Sequence, residues 1–283
     1  MGFRAPAPYE GMEERGGAEA EGRLRGAFTS PNLLAFFLIL TFPPAVAMSV
    51  GGRPVLRPPM ALSAVLALTA LLLTLSRGGI VGALVAGTVL MTWPRFRRAA
   101  LTLLVVVALL AVAGVVPLAR SPEAGLIATR VSSVFGAESE ANPRIRLYEG
   151  TPQLIADHPL IGIGAGNFPV VSPLYGLRDR GAESFEHAHS IVLTIAAEAG
   201  LLGLGCFLAF LVALIRPAAV VLRSRRSPLY PVGIGAVAAL AGLLATGILD
   251  FPLRSNLLTA FALIATGAIV AAARRAHNIE LEA

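Results

Sequence analysis

Residues 184–215 read SFEHAHSIVLTIAAEAGLLGLGCFLAFLVALI. The apolar part of this stretch, 190–215, exceeds the about 20 residues with which a helix crosses a bilayer. Two histidines, His187 and His189, stand immediately before it. A membrane anchor has no need of imidazoles at its mouth, so the stretch poses a question of fold and a question of chemistry together.

The fold question extends along the chain. Further apolar runs fall at 32–50, 59–76, 78–93, 99–119, 230–250 and 255–273, which makes seven spans. The composition agrees: 283 residues are 55% hydrophobic and 14% charged, where a soluble domain is about a quarter charged. The mean hydropathy is +0.74. An all-α, polytopic membrane helix bundle is the expected fold class. The first thirty residues are polar and Gly-rich without an apolar centre, so no cleavable signal peptide is expected. The single cysteine, Cys206, lies inside an apolar run, which excludes an internal disulfide.

Net charge +6 and a pI near 10.6 would suit nucleic acid in a soluble protein. Their distribution points to the lipid bilayer instead, with no nucleic acid partner. All 23 basic residues are arginines, which we attribute to a GC-rich coding sequence. They gather in short loops without acids: Arg53 and Arg57, then Arg95, Arg97 and Arg98, then Arg216, Arg223, Arg225 and Arg226, with Arg274 and Arg275 opening the tail. Placing all four clusters in the cytoplasm satisfies the positive-inside rule. The expected organisation is then an extracytoplasmic segment 1–31, four spans in 32–119, an extracytoplasmic loop 120–189, three spans in 190–273 and a cytoplasmic tail 274–283.

The loop is too long for a passive connector. Within it "NPRIRLYEGTPQLIADHP" reads as a short helix, with Pro143 at its first position and Pro159 ending it. Ile145, Tyr148, Pro152 and Ile155 form an apolar side able to lie on the membrane. "GIGAGNF" then reads as a flexible turn, since no preceding strand supports a dinucleotide fingerprint.

The chemistry question narrows to residues at one face. Arg77 sits in "LSRGGIVG", between two spans on the side that the charge rule disfavours. It is either a side chain snorkelling to the interface or a permanently charged fork for phosphate. Arg144 on the loop helix is either solvated or a second such fork; Arg146, two residues on, lies on another helical face. His187 and His189 cannot jointly chelate a metal from a helix. From an extended loop they could, with Glu183 and Glu186 nearby, but no HExxH occurs and no metal is expected. A neutral imidazole at the interface suits general-base chemistry. Glu198 reads as an intramembrane carboxylate serving helix packing. Asp250 and Arg254 read as a polar corner whose members pair with each other.

Four stretches in order then resemble a known family, the bacterial O-antigen ligase/polymerase family of membrane glycosyltransferases. "RLRGAFTSPNLLAFFLIL" resembles its G-[TA]-F-x-x-P-N-x-x-A span entry, and "LTLSRGGIVGALVAG" its T-x-SRGG break. "PRIRLYEGTPQLIADHPLIGIGAGNF" resembles R-x-x-x-[WY] followed by HP-[LI]-x-G-x-G. "HAHSIVLTIAAEAGLLGLG" resembles H-x-H-[NS]-x-x-L-x-x-x-x-E-x-G-x-x-G, with Ser190 where many relatives carry Asn. The resemblance implies metal-free, cofactor-free transfer from an undecaprenyl-diphosphate-linked glycan on the outer face of the plasma membrane. The acceptor would be another glycan, a lipid A core or a protein. It further implies that Arg77 and Arg144 hold the donor diphosphate while His189 assists the acceptor or leaving group. Arg146, His187 and Arg254 complete the candidate substrate-binding set. The family has about a dozen spans, so further spans are expected to precede residues 1–31. A transporter or flippase is the competing class, although transporters place their charges near the midplane. A non-catalytic scaffold is a third.

Overall fold

In a computed structural model of the chain, residues 23–97, 143–178 and 184–282 are described, together with Val105 and Leu109. Eight α-helices are described here. They are α1 (Pro31–Gly51), α2 (Arg57–Leu73), α3 (Arg77–Met91), α4 (Pro143–Asp157), the single turn α5 (Phe168–Val171), α6 (Ile191–Arg223), α7 (Tyr230–Gly247) and α8 (Asn256–Glu282). Among the described residues no extended strand occurs, so the all-α reading holds. Five helical stretches among the described residues are long and apolar enough to cross a membrane, and α3 is a shorter apolar helix. The span expected at 99–119 lies outside the described residues, apart from helical Val105 and Leu109.

The bundle core is α1 and α7 with α2, α3 and α8 around them, filled by Ile39, Leu71, Leu90, Ile234, Leu243 and Leu258. Lipid is as apolar as these side chains, so close packing rather than water exclusion holds such helices together. Small residues allow the approach. Gly82 of α3 and Gly242 of α7 face each other so closely that a Cβ at either would meet the other's carbonyl oxygen at 2.8 and 2.6 Å.

The contacts sort the loops into two ends. Gly51 meets Trp93 and Pro231, the Arg225 guanidinium donates to the Thr92 carbonyl at 3.1 Å, and Trp93 stands edge-on to Tyr230 at 5.1 Å. The arginine-rich loops therefore share one end. At the other end lie the starts of α1, α3, α6 and α8 and the finish of α7.

Helix α6 differs from its expected form as a single span over 190–215. It runs to Arg223 and is broken at Gly200, whose φ of 68° and ψ of −173° suit glycine alone. Ile191 packs on Gly247 and Val221 on Gly233. Thirty residues of α6 thus face fourteen of α7, roughly 45 Å of helix against 21 Å. The corner at Gly200 resolves that mismatch: a short arm, 191–199, turns into a span arm, 201–223.

The break is sealed from the loop. Pro159 and Leu160 carbonyls accept the N–H groups of Leu201 and Leu202 at 2.8 and 3.2 Å. The Ala197 and Glu198 carbonyls accept those of Ile163 and Gly164, both at 2.9 Å. Helix ends leave such groups unpaired, and an apolar setting demands partners for them. "GIGAGNF", expected to be a flexible turn, is therefore a bonded plug.

The face of α4 also departs from expectation. Leu147, Thr151 and Leu154 are fully buried, packing with Phe168, Leu177, Phe185, Ala188 and Ala197. Tyr148 and Ile155 lean on this cluster, and of the expected membrane-facing set Ile145 and Pro152 are exposed. The loop helix thus carries a core of its own. Finally, α8 extends beyond its expected end at 273 through Glu282, with Arg274 and Arg275 exposed on it.

Candidate active site

Asp250 is the hub. It follows α7 by three residues and is buried at 7% exposure. Its Oδ1 lies 3.1 Å from His187 Nε2 and 3.2 Å from His189 Nδ1, and accepts the Phe251 N–H at 2.8 Å. Its Oδ2 accepts from Asn32 Nδ2 at 3.3 Å and faces Arg144 Nη2 at 3.8 Å. The expected Asp250–Arg254 pair does not form: Arg254 bonds instead to Glu186, beside the histidines. Neighbours in sequence lost to partners across the loop because both histidines reach over the end of α7.

Local rules place each member. Ser190 caps α6 by accepting the Leu193 N–H, and Thr194 Oγ1 accepts the Ala188 N–H. His189 between them has φ 48°, a left-handed backbone that is costly for a side chain bearing a Cβ, on the order of 1 kcal/mol or more. Tyr148 of α4 donates its hydroxyl to the His189 carbonyl at 3.0 Å. Leu75 has the other positive φ outside glycine, 50°, two residues before Arg77. Strain of this kind collects where a structure over-determines a functional position.

Electrostatics separates the two imidazoles. Burial pushes His187 below the usual histidine range, against the raising effect of its Asp250 bond. It is therefore neutral and gives Nε2–H to the carboxylate, leaving a buried Nδ1 without a partner among the described atoms. Burial pushes Asp250 up, but hydrogen bonds from His187 and then His189 outweigh it and hold the carboxyl below its ordinary range. An ionised carboxylate only accepts, so His189 presents Nδ1–H to it and leaves Nε2 outside that bond. The His189 side chain is 27% exposed against 5% for His187. His189 is thus the accessible imidazole of the pair, with His187 buried behind it against the same carboxylate. Tyr148 is held as a phenol chiefly by burial, which raises it against the lowering effect of Arg144.

Arg77 occupies the first position of α3, half-buried, with Ser76 capping the helix through the Gly79 N–H at 3.2 Å. Gly78 beside it lies against Thr246, four residues before Asp250. Arg146 is exposed on a different side of α4 from Arg144. Glu198, read from sequence as a mid-membrane packing carboxylate, stands in the short arm of α6. Its Oε1 accepts the Phe168 N–H of α5 at 3.2 Å.

Sequence reasoning did not find Arg23 and Asn32. Arg23 bonds to the Thr74 carbonyl at 2.8 Å and to Asn32 Oδ1 at 3.1 Å, and Asn32 passes the chain on to Asp250. The signal was Asn32 itself, a polar amide in the first turn of an apolar helix. The N-termini of α1, α3, α6 and α8 lie at this end, and their dipoles favour anions.

His187, His189 and Asp250 offer three ligand atoms within 4.8 Å of one another, a donor set that a divalent ion can use. Hydrogen bonding accounts for the same spacing, and the Arg144 guanidinium on the same carboxylate opposes a cation.

No curated protein matches the chain. The family described as O-Antigen ligase matches residues 62–208, more than half of the sequence, including Arg77, Arg144, His187 and His189 but ending before Asp250. With all-helical architecture, membrane-spanning helices and a polar site at one end, the chain belongs to the O-antigen ligase family.

Proposed function

We propose that this membrane glycosyl-transfer protein of polysaccharide synthesis moves a glycan from an undecaprenyl-diphosphate-linked donor to an acceptor hydroxyl, on the outer face of the bacterial plasma membrane and without a metal. The observation that carries the reading is one buried carboxylate, Asp250, shared by a reachable imidazole and a guanidinium. Such a carboxylate fixes the His189 tautomer and ring, so that Nε2 takes the proton of the attacking hydroxyl. The new bond forms between that oxygen and the anomeric carbon as the bond from that carbon to the diphosphate breaks. Charge grows on the departing lipid diphosphate, where Arg77 and Arg144 stabilise it. The proton held by His189 then leaves to the diphosphate or to solvent. Attack from the face opposite the leaving group inverts the anomeric centre. Arg254 and Arg146 are exposed and would meet the glycan or headgroups, and the acceptor class, glycan, lipid A core or protein, rests on what docks there.

The experiment is transfer by purified protein with lipid-linked donor and acceptor. Arg77→Lys and Arg144→Lys should each lose roughly a hundredfold or more, because a lysine point charge does not replace a bidentate fork. Snorkelling arginines would tolerate lysine. A chelator should leave the rate intact; loss on chelation with recovery on adding a divalent ion would move the chemistry to the His187–His189–Asp250 donor set.

A further inference from the structure

Residues 159–177, PLIGIGAGNFPVVSPLYGL, contain no charged residue, although they belong to a connection between spans rather than to a span. Four large apolar side chains on this stretch stand open: Leu160 at 64%, Ile161 at 76%, Val170 at 72% and Leu174 at 81% exposure. Val170 and Leu174 are four residues apart on consecutive turns, and Leu160 and Ile161 adjoin exposed Leu201 and Leu202 of α6. A water-facing connection of this length would carry charge and keep such side chains apart.

Much of its backbone is paired within the protein. Gly162, Ile163, Gly164, Asn167, Phe168, Val170, Val171, Gly176 and Leu177 all donate their N–H groups within the protein. The Asn167 amide donates to the Ile163 carbonyl, and the Tyr175 hydroxyl reaches Asp157, which stands just before the charge-free run. Irregular backbone next to hydrocarbon needs such pairing, and at the headgroup boundary water is at hand for the remaining groups.

The level of the stretch is fixed by α6. Carbonyls of Pro159 and Leu160 cap the first turn of the span arm 201–223, so the loop sits where an apolar helix of bilayer length begins. Glu198 ties α5 to the same corner through the Phe168 N–H.

We propose that residues 159–177 form a re-entrant element seated in the bilayer at the boundary between headgroups and acyl chains, with Leu160, Ile161, Val170 and Leu174 facing lipid. The element moors α4, and with it Arg144 and Tyr148, to the membrane surface. The inference stands on exposure, bonding and composition, and does not require glycosyl transfer.

The test is depth. Ile161→Cys and Leu174→Cys, on a Cys206→Ser background, are spin-labelled in the full chain and reconstituted in vesicles of phosphatidylethanolamine and phosphatidylglycerol. Glu149→Cys on α4 supplies a water-side reference and Leu208→Cys in the span arm a lipid-side one; all four positions are exposed, so labelling leaves packing intact. Oxygen should relax the labels at 161 and 174 more than a water-soluble nickel chelate does, as at 208, with the order reversed at 149. Nickel prevailing at 161 and 174 would put the element in water. Protection from both reagents would put it under protein, a second copy or a partner, and either result overturns the proposal.

Discussion

At the residue scale, Asp250 receives more donors than any other carboxylate described, and they come from four parts of the chain. His187, His189 and the Phe251 N–H approach Oδ1, while Asn32 and Arg144 approach Oδ2. An amide in its place keeps the shape but can present an N–H toward the imidazoles, so that His189 no longer holds Nδ1–H reliably. Asp250→Asn should therefore insert and fold yet lose on the order of a hundredfold or more in transfer at matched abundance, the range of a general base. Near-wild-type rates for Asp250→Asn would remove the orienting role. His187 carries a stability signature instead. Burial lowers it from 6.5, so the unfolded chain takes up a proton that the folded protein refuses. The stability involved is present above about pH 6.5 and is lost as pH falls through that value toward the lowered one. Asp250, held below 3.8, adds a separate loss only under about pH 4. The unfolding temperature in detergent should fall between about pH 7.5 and 5.5, and His187→Asn should flatten that slope.

These residues were unequally legible in the sequence. Arg77, Arg144, His187, His189 and Arg254 emerge because the arginine rule assigns their loops to one face, and the structure gathers the loops so. Asp250 is visible as a polar corner, but nearness in sequence suggests Arg254 as its partner, whereas its partners lie 61 and 63 positions away. Only three-dimensional closure brings the end of α7 under the histidines. Arg23 and Asn32 make bonds through a carbonyl and an amide, and no charge pattern announces those.

At the element scale, the corner in α6 is the feature that sequence conceals. Glycines are common in membrane helices, so Gly200, Gly203 and Gly205 look alike on the page. Their surroundings differ. A Cβ on Gly200 would stand 2.2 Å from the Leu160 carbonyl oxygen, on a backbone that only glycine adopts, whereas Gly205 has nothing within 4 Å. Gly200→Ala combines a clash with backbone with roughly 1–3 kcal/mol of conformational strain, and so should cost about 3 kcal/mol or more. Gly205→Ala should be neutral or stabilising, since alanine is the better helix former by about 1 kcal/mol. Glu198→Ala orphans the Phe168 N–H at a cost of about 1–3 kcal/mol, and Glu198→Gln, which keeps an acceptor oxygen, should recover most of it. Unfolding midpoints in detergent for the four variants check the order. A Gly200→Ala protein as stable as Gly205→Ala would mean that α6 runs straight.

At the scale of the molecule, two cores of different physical origin meet at the site. The bundle is held by close approach of small residues, while α4, α5 and the arm 191–199 enclose Leu147, Leu154 and Phe168, each fully buried. If that second core excludes water, each such side chain contributes roughly 1.5–3 kcal/mol, and Arg144 rides on its rim. The sidedness of the whole follows from charge. Arg225 meets the Thr92 carbonyl, Trp93 meets Gly51, and Ala272 meets Gly233, so the loops with Arg53, Arg57, Arg95, Arg97, Arg225 and Arg226 share one end with Arg274 and Arg275. Acids are absent from those loops, while Glu149, Asp157, Glu186 and Asp250 all lie at the site end. Charge of that asymmetry orients a bundle with its arginines in the cytoplasm. A membrane-impermeant maleimide applied to intact cells should therefore label Glu149→Cys, on a Cys206→Ser background, and spare Ser224→Cys until the membrane is permeabilised. The opposite pattern would face the site toward the cytoplasm, away from a donor presented on the outer leaflet, and would end the reading of His189 and its arginines as an outward-facing transferase site.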